Sequence, residues 1–301
     1  MINQVRLLEV LNPHQIMPNA LMKEYTSFRV GGPCRYLLVP ENVEQLATVL
    51  TLLTKEGEPF LILGSGTDLL VKDGGYPGTV IKMGGEFLNM EVEETRVVAG
   101  AAASLRAVAE FAAEHSLTGL EFAHGIPGSV GGGAFMNAGA YDGEMKQVMN
   151  RVHTLSRDGK TKRVYEREEM ELSYRSSVFQ RCGDIITRVE YTLNNGIKED
   201  IDSKMAELMA LRRSKQPLDL PSAGSFFKRP PGYFAGKLIQ DAGLQGLSVG
   251  GARVSPLHAG FIVNENQATA EDIITLMHLI QFTVKDQFGV DLEPEVQIIG
   301  E

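Results

Sequence analysis

The amino-acid sequence predicts an α+β protein: a strand-rich body followed by a smaller C-terminal α+β unit. Three observations carry this reading. In the first third, short apolar runs ending at Pro or Gly alternate with a stretch whose apolar residues recur every three to four positions. At 151–165, Asp158-Gly159 separates two strand-like runs, a strong hairpin signal. Near the C-terminus a long amphipathic stretch opens at Thr269 with Asp272 three positions on, and Gly289 closes it.

In chain order, "YLLVP" (36–40) and "FLILG" (60–64) read as buried strands. Between them Val43, Leu46, Leu50 and Leu53 mark one face of a helix that Gly57 stops. A strand–helix–strand unit normally makes a parallel pair, with a ligand crevice at the carboxyl ends of the strands. "TVIKM" (79–83) and "TRVVAGA" (95–101) add strands, and Leu105, Val108, Ala109 and Ala112 give the next helix its apolar face. After the 151–165 hairpin, "DIITRVEYTL" (184–193) is a further strand. "NNGIKED" (194–200) is polar and contains glycine, so it reads as a boundary before a charged helix near 201–215. In the last helix Ile273, Ile274, Met277, Ile280, Val284 and Phe288 form the expected buried stripe.

Composition narrows the function classes. At 43% hydrophobic and 22% charged, the chain reads as an ordinary soluble protein. Its formal net charge of −9 leaves no excess of Lys and Arg to displace counterions, which argues against a nucleic-acid surface. No apolar run is long enough for a membrane span, and the N-terminus lacks the pattern of a signal peptide. Cys34 and Cys182 form no metal-spaced pair and suit a reduced cytoplasm; the scattered histidines include no HExxH. No metal site is expected, and a monomer is.

Two glycine-rich stretches point to a phosphate-bearing ligand. Seven glycines fall between Gly125 and Gly143, and such loops let a backbone come close to a phosphate. The Walker pattern is absent, because Ala134 and Phe135 follow the last glycine of "GSVGGG" where Lys and Ser/Thr belong. "LILGSGTDLLV" (61–71) follows a strand but has no third glycine, so it is not a full dinucleotide fingerprint. Alone, it fits a strand-ending turn as well as a phosphate turn. Together, the two loops suit a long, doubly phosphorylated cofactor held from two sides.

Seven segments occur in order: "YTSFRVGGPC" (25–34), "LILGSGTDLLV", "GIPGSVGGGAFMNAGAY" (125–141), "SYRSSVFQ" (173–180), "PSAGSFFKRPPGYFAGKLIQDAGL" (221–244), "HAGFIVN" (258–264) and "LEPEV" (292–296). This set resembles the UDP-N-acetylenolpyruvoylglucosamine reductase (MurB) family, from about residue 20 to the C-terminus. The resemblance implies an FAD-binding fold of the vanillyl-alcohol oxidase/p-cresol methylhydroxylase type in two subdomains, 1–83 and 84–196, and a C-terminal α+β substrate domain, 197–301. The last C-terminal residues are expected to pack back on the first subdomain. FAD, bound non-covalently, would be held by Gly64, Ser65, Gly66, Thr67 and Asp68 and by Gly125, Ile126, Pro127, Gly128, Ser129, Gly131, Gly132 and Ala134. Some glycines of 131–133 would instead allow close packing. Only one strand, a linker and one helix fit between Arg175 and Ser225, so the chain resembles the shorter family type without a substrate-clamping tyrosine loop. Tyr25, where the family often has Asn, is a minor departure.

The implied reaction reduces the enol ether of a UDP-sugar to a lactyl ether in peptidoglycan precursor synthesis. NADPH first reduces FAD; hydride from flavin N5 then reaches the enolpyruvyl group. In the family's pattern Arg175 holds the substrate carboxylate, Glu295 shares a hydrogen bond with the developing oxyanion, and Ser225 donates the proton. Lys228 and Lys237 would serve a UDP diphosphate, Tyr141 and Asn137 the sugar or the flavin side, and Tyr174 the substrate. Residue type alone leaves other readings open. "SYRSS" also suits a strand-end turn, Ser225 a turn serine, and Glu293 fits as well as Glu295. Two other functions compete: an oxidase on the same FAD fold, which needs no Arg/Ser/Glu set, and a nucleotide-sugar binding protein, which needs no flavin.

Overall fold

A computed structural model of the chain describes residues 2–301. Its contacts define two units, each discontinuous in sequence. The first comprises Met1–Pro18, Tyr36–Ser65 and Gly78–Leu211; the second comprises Asn19–Arg35, Gly66–Pro77 and Arg212–Glu301. These units cut across the three contiguous spans expected from the sequence. Helix Lys198–Lys215 shows why: Ile201 and Met205 bury into the core of the first unit, so that unit continues past the polar "NNGIKED". Asn194–Asn195 is itself paired, with Leu117–Thr118.

The first unit holds a four-stranded sheet in the order Ile16–Pro18, Cys34–Leu38, Tyr76–Ile81, Phe60–Ile62. Helix Val43–Lys55 forms as expected, capped by Asn42, which accepts from the Gln45 N–H at 2.8 Å; Leu46, Val49, Leu50 and Leu53 are buried. The strands flanking it do not pair with each other, however. Tyr76–Ile81 lies between them and makes the parallel pair with Phe60–Ile62, in the register Phe60–Thr79 to Ile62–Ile81. Thr79, Val80 and Ile81 are fully buried, while Leu61 and Ile62 are half-buried. The strand buried on both faces takes the central place.

A five-stranded antiparallel sheet follows, in the order Lys162–Glu166, Met149–Leu155, Ile185–Thr192, Arg96–Gly100, Met90–Glu93. The Asp158-Gly159 hairpin is present, with Gly159 at φ +75°. Val97, Ala99, Val152, Val189 and Tyr191 bury one face, while Arg96, His153, Arg188 and Glu190 alternate with them on the other. Glu190 is nearly buried and accepts from both Arg96 (3.2 Å) and His153 (2.6 Å).

The second unit has its own core. Helix Ala270–Phe288 starts with the expected capping box: Asp272 N–H donates to Thr269 Oγ1 at 3.1 Å and Thr269 N–H to Asp272 Oδ2 at 3.0 Å. Asp73 takes two more first-turn donors, Ala270 N–H at 2.9 Å and Glu271 N–H at 3.0 Å. Gly289 ends the helix at φ +70°. Ile273, Leu276, Met277, Ile280 and Val284 make the buried stripe; Ile274 is only half-buried and Phe288, the last helical residue, is exposed, against expectation. Strand Gln297–Ile299 runs parallel to Leu69–Val71, so the chain end pairs just beyond the Gly64–Asp68 turn. No helix among the described residues is long and apolar enough to cross a membrane. Nor does any cluster of His, Cys, Asp and Glu there suit a metal ion, and neither Cys34 nor Cys182 is in a disulfide.

Candidate active site

The two glycine-rich segments meet at Gly64 and Ser129. A Cβ on Gly64 would stand 2.5 Å from Ser129 Oγ, so only glycine allows this approach. Ser129 caps helix Val130–Met136, accepting from the Gly132 N–H at 3.2 Å. The loop before the helix is tied to the neighbouring turn: Leu105 N–H donates to Gly128 O (3.0 Å), Val130 N–H to Ala103 O and Gly131 N–H to Ala101 O (both 2.8 Å). The glycines now separate by role. Gly131 and Gly133 lie against Ala101 and Leu105 and permit packing, while Gly132 is exposed with only Ser129 Oγ nearby. Gly125, Ile126 and Gly128 are half-buried and Pro127 is exposed. Ala134, expected as a cofactor contact, is instead fully buried, one helical turn beyond buried Val130, and belongs to the core.

The Gly64–Asp68 turn continues into the second unit. Gly66 adopts φ +65°, and a Cβ there would fall 2.2 Å from Tyr25 O. Ser27 joins this turn to the serine segment: its N–H donates to Gly66 O at 2.9 Å and its hydroxyl to Ser222 O at 2.6 Å. Ser65 is exposed, Thr67 and Asp68 are half-buried, and the Asp68 carbonyl accepts from Gln297 N–H at 3.1 Å.

Arg175 stands in a two-residue turn of the first unit. Ser173 and Ser176 exchange backbone hydrogen bonds of 3.1 Å across Tyr174 and Arg175. Arg175 is half-buried at φ +51°, a left-handed conformation that a non-glycine residue rarely adopts. Its Nη2 donates to Gly139 O at 3.2 Å, and the guanidinium lies 5.0 Å from the ring centroid of exposed Tyr174. Tyr141 tips another two-residue turn: Gly139–Ala140 pairs with Gly143–Glu144, and both Tyr141 (φ +50°) and Asp142 (φ +64°) are left-handed. Asn137 does not line a surface as expected. It is fully buried, with its amide bonded within the protein to Glu144, Ser173 and Lys146.

Ser225 and Glu295 are neighbours in the second unit. Gly224 at φ +75° presents Ser225 at the surface. The next residue, Phe226, is held from both sides, its N–H donating to Gly260 O and its carbonyl accepting from Glu295 N–H, both at 2.9 Å. Phe227 pairs antiparallel with Pro294, and Lys228 N–H donates to Glu293 O at 2.9 Å. Three of the ordered motifs, "AGSFF", "HAGF" and "LEPEV", therefore converge on one backbone position. Glu295 is half-buried and Glu293 exposed, which distinguishes two carboxylates that residue type alone left equal.

Residues 216–299 match the family model of the UDP-N-acetylenolpyruvoylglucosamine reductase C-terminal domain, and residues 34–165 match an FAD binding domain. A UDP-N-acetylenolpyruvoylglucosamine reductase of Geobacillus kaustophilus is 49% identical over 98% of this chain and 97% of its own length. The chain belongs to the UDP-N-acetylenolpyruvoylglucosamine reductase family. A relative of the same name from Caldanaerobacter subterraneus subsp. tengcongensis is 48% identical over 98% of this chain and 97% of its own length. The crystal structure of UDP-N-acetylenolpyruvylglucosamine reductase from Thermus caldophilus superposes with a TM-score of 0.81 at 38% identity, covering 93% of this chain and 98% of that one.

Membership makes the chain an oxidoreductase with FAD as cofactor. The local geometry fits that cofactor: glycine at position 64 lets the two loops close on each other at Ser129, and Gly132 leaves the start of the next helix bare. The expected diphosphate lysines already have carboxylate partners. Lys228 pairs with Glu293, and Lys237 with Asp241 one turn on in helix Ala235–Asp241, an ordinary surface pairing. Three supports escaped the reading of the sequence. Ser177 Oγ donates to Phe135 O at 2.6 Å, Gln180 Nε2 to Phe135 O at 3.2 Å and Arg175 O at 3.1 Å, and Gly260 carries Phe226. Ser177 and Gln180 lie within "SYRSSVFQ", so proximity to Arg175 was the available signal.

Proposed function

We propose that the chain catalyses the NADPH-dependent reduction of UDP-N-acetylglucosamine enolpyruvate to UDP-N-acetylmuramate, a step of cytoplasmic peptidoglycan precursor synthesis. The observation that carries this reading is the pairing of Glu295 N–H with the carbonyl next to Ser225, inside the segment that matches the family's C-terminal domain. An oxidase on the same fold has no use for a proton donor beside a carboxylic acid.

FAD, when bound, supplies the hydride carrier between the nicotinamide and the enolpyruvyl group. The chain's residues do the rest. Arg175 holds the substrate carboxylate through two parallel hydrogen bonds and stays charged at any working pH. As the terminal methylene becomes a methyl group, the electron pair of the double bond moves onto the ether-bearing carbon and its carboxylate. Arg175 and, when it carries a proton, Glu295 stabilise that charge. Ser225 then gives its proton to the ether-bearing carbon, which completes the lactyl ether, and regains one from solvent. Ser129 and the 64–68 turn hold the cofactor pyrophosphate. Lys228 serves the substrate diphosphate, exchanging Glu293 for phosphate oxygens.

The test uses the purified holoprotein without oxygen. NADPH should bleach the flavin bands, and the enolpyruvyl UDP-sugar should restore them while UDP-N-acetylmuramate accumulates. Bleaching without recovery would sink the reductase reading and favour an oxidase. A colourless protein would favour a binding module.

A further inference from the structure

Arg175 occupies a costly conformation, and the residues that impose it converge on one short helix. A left-handed non-glycine residue persists only where its surroundings over-determine it. Here they do. Helix Val130–Met136 ends at Asn137, whose backbone is itself left-handed (φ +44°) and whose side chain is fully buried. The Asn137 amide donates to Ser173 O at 2.9 Å and to Glu144 Oε2 at 2.8 Å, and its Oδ1 accepts from Lys146 N–H at 2.9 Å. Ser173 is the first residue of the Arg175 turn. Two further ties bind the same turn to the same helix end: Ser177 Oγ to Phe135 O, and Gln180 Nε2 to both Phe135 O and Arg175 O. The Arg175 guanidinium reaches Gly139 O, two residues beyond Asn137.

The helix is therefore a spacer of roughly 10 Å, with the Ser129 cap at one end and the Arg175 turn fixed to the other. Of the residues that tolerate a left-handed helix end, glycine would satisfy the backbone. Only asparagine also supplies two donors and an acceptor there. That choice has no purpose if the helix merely has to stop.

We infer that Asn137 is a positioning residue for the reaction: it sets the place of the Arg175 guanidinium by holding Ser173 O, and it couples that placement to the helix that begins at the flavin loop. The inference rests on the carboxylate-holding role proposed above for Arg175. Asn137→Gly keeps the left-handed backbone and removes the amide. In stopped-flow measurements on the holoenzyme it should slow reoxidation of the reduced flavin by the enolpyruvyl UDP-sugar by up to about 100-fold. Flavin reduction by NADPH should change less than about twofold, since it does not require Arg175 in place.

A double-mutant cycle separates positioning from general damage. Asn137→Gly added to Arg175→Ala should cost less than about threefold, because the group it positions is gone. Full additivity of the two losses, or equal slowing of both half-reactions by Asn137→Gly, overturns the inference. Unchanged reoxidation in Arg175→Ala overturns the role of Arg175 itself, and this inference with it. If Asn137→Gly does not fold, Gln180→Ala, at an exposed position of the same clamp, should show the same selective and non-additive loss. Its absence there overturns the inference equally.

Discussion

Glu295 donates its backbone N–H to the carbonyl of Phe226 at 2.9 Å, which places a half-buried carboxyl-bearing residue directly across from the residue that follows Ser225. Gly260 O, on the other side, accepts the Phe226 N–H at 2.9 Å. The proposed donor is thus set by main-chain hydrogen bonds, which hold position better than a long side chain would. If Glu295 works as a hydrogen-bond donor to the developing oxyanion, its two substitutions should differ. Glu295→Ala should slow flavin reoxidation by the sugar substrate on the order of 100-fold, the usual loss for one oxyanion donor. Glu295→Gln, which keeps an N–H at that reach, should lose clearly less. Equal losses in single-turnover reoxidation would mean that the acid acts as a proton source instead.

Arg175→Lys tests whether charge alone suffices at that turn. Lysine keeps the charge but loses the planar fork and the reach to Gly139 O. Reoxidation should fall by about 100-fold with the flavin still bound. A rate near the wild type would show that a point charge is enough.

The two glycine loops make a prediction about stability and cofactor retention. Gly64→Ala sets a methyl group 2.5 Å from buried Ser129 Oγ, and overpacking of this kind costs about 1–3 kcal/mol. The variant should unfold at lower urea concentration and lose FAD on gel filtration. Gly57→Ala is the control for the substitution itself: Gly57 has a left-handed φ of +62° and nothing within 4 Å, so it should lose only about 1 kcal/mol and keep its FAD. Full FAD retention and an unchanged urea midpoint in Gly64→Ala would show that the close approach to Ser129 does not matter for either.

His258 supplies a pH dependence. Burial holds its imidazole below the ordinary histidine pKa, and its Nδ1 accepts the Gly260 N–H at 3.1 Å, which requires that nitrogen to be unprotonated. A histidine with a lowered folded-state pKa takes up its proton more readily when unfolded. Its contribution is present above about pH 6.5 and is lost as pH falls from there toward the folded value, with a limit of about 1.4 kcal/mol per pH unit. Urea midpoints at pH 7.5 and 5.5 should therefore differ more for the wild type than for His258→Gln. Parallel shifts in the two proteins would assign the acid sensitivity elsewhere.

Much of the fold was legible because it is written in local rules. The Thr269/Asp272 capping box, the Asp158-Gly159 hairpin and the apolar face of Val43–Lys55 depend on near neighbours, and spacing reports near neighbours well. What spacing does not report is which distant partner satisfies a buried group. Asn137 sits in a glycine-rich run that reads as surface loop, and nothing in "MNAGAY" indicates that its amide is consumed by Ser173, Glu144 and Lys146. The insertion of Tyr76–Ile81 between two strands joined by a helix is likewise a tertiary choice, made by the burial of Thr79, Val80 and Ile81. Ala134 is ambiguous for the same reason: a small residue after three glycines suits a phosphate loop or a core helix equally, and only the fold shows that it is buried.

Ser225→Ala, followed through both half-reactions, tests the central claim most directly. The hydroxyl is required only for the proton that completes the lactyl ether, so NADPH should bleach the flavin of the variant at the wild-type rate. Reoxidation by the enolpyruvyl UDP-sugar should then be slower by about 100- to 10,000-fold, the span of general acid catalysis. Equal slowing of the two half-reactions, or reoxidation at the wild-type rate, would contradict the role given to Ser225 and the mechanism built on it.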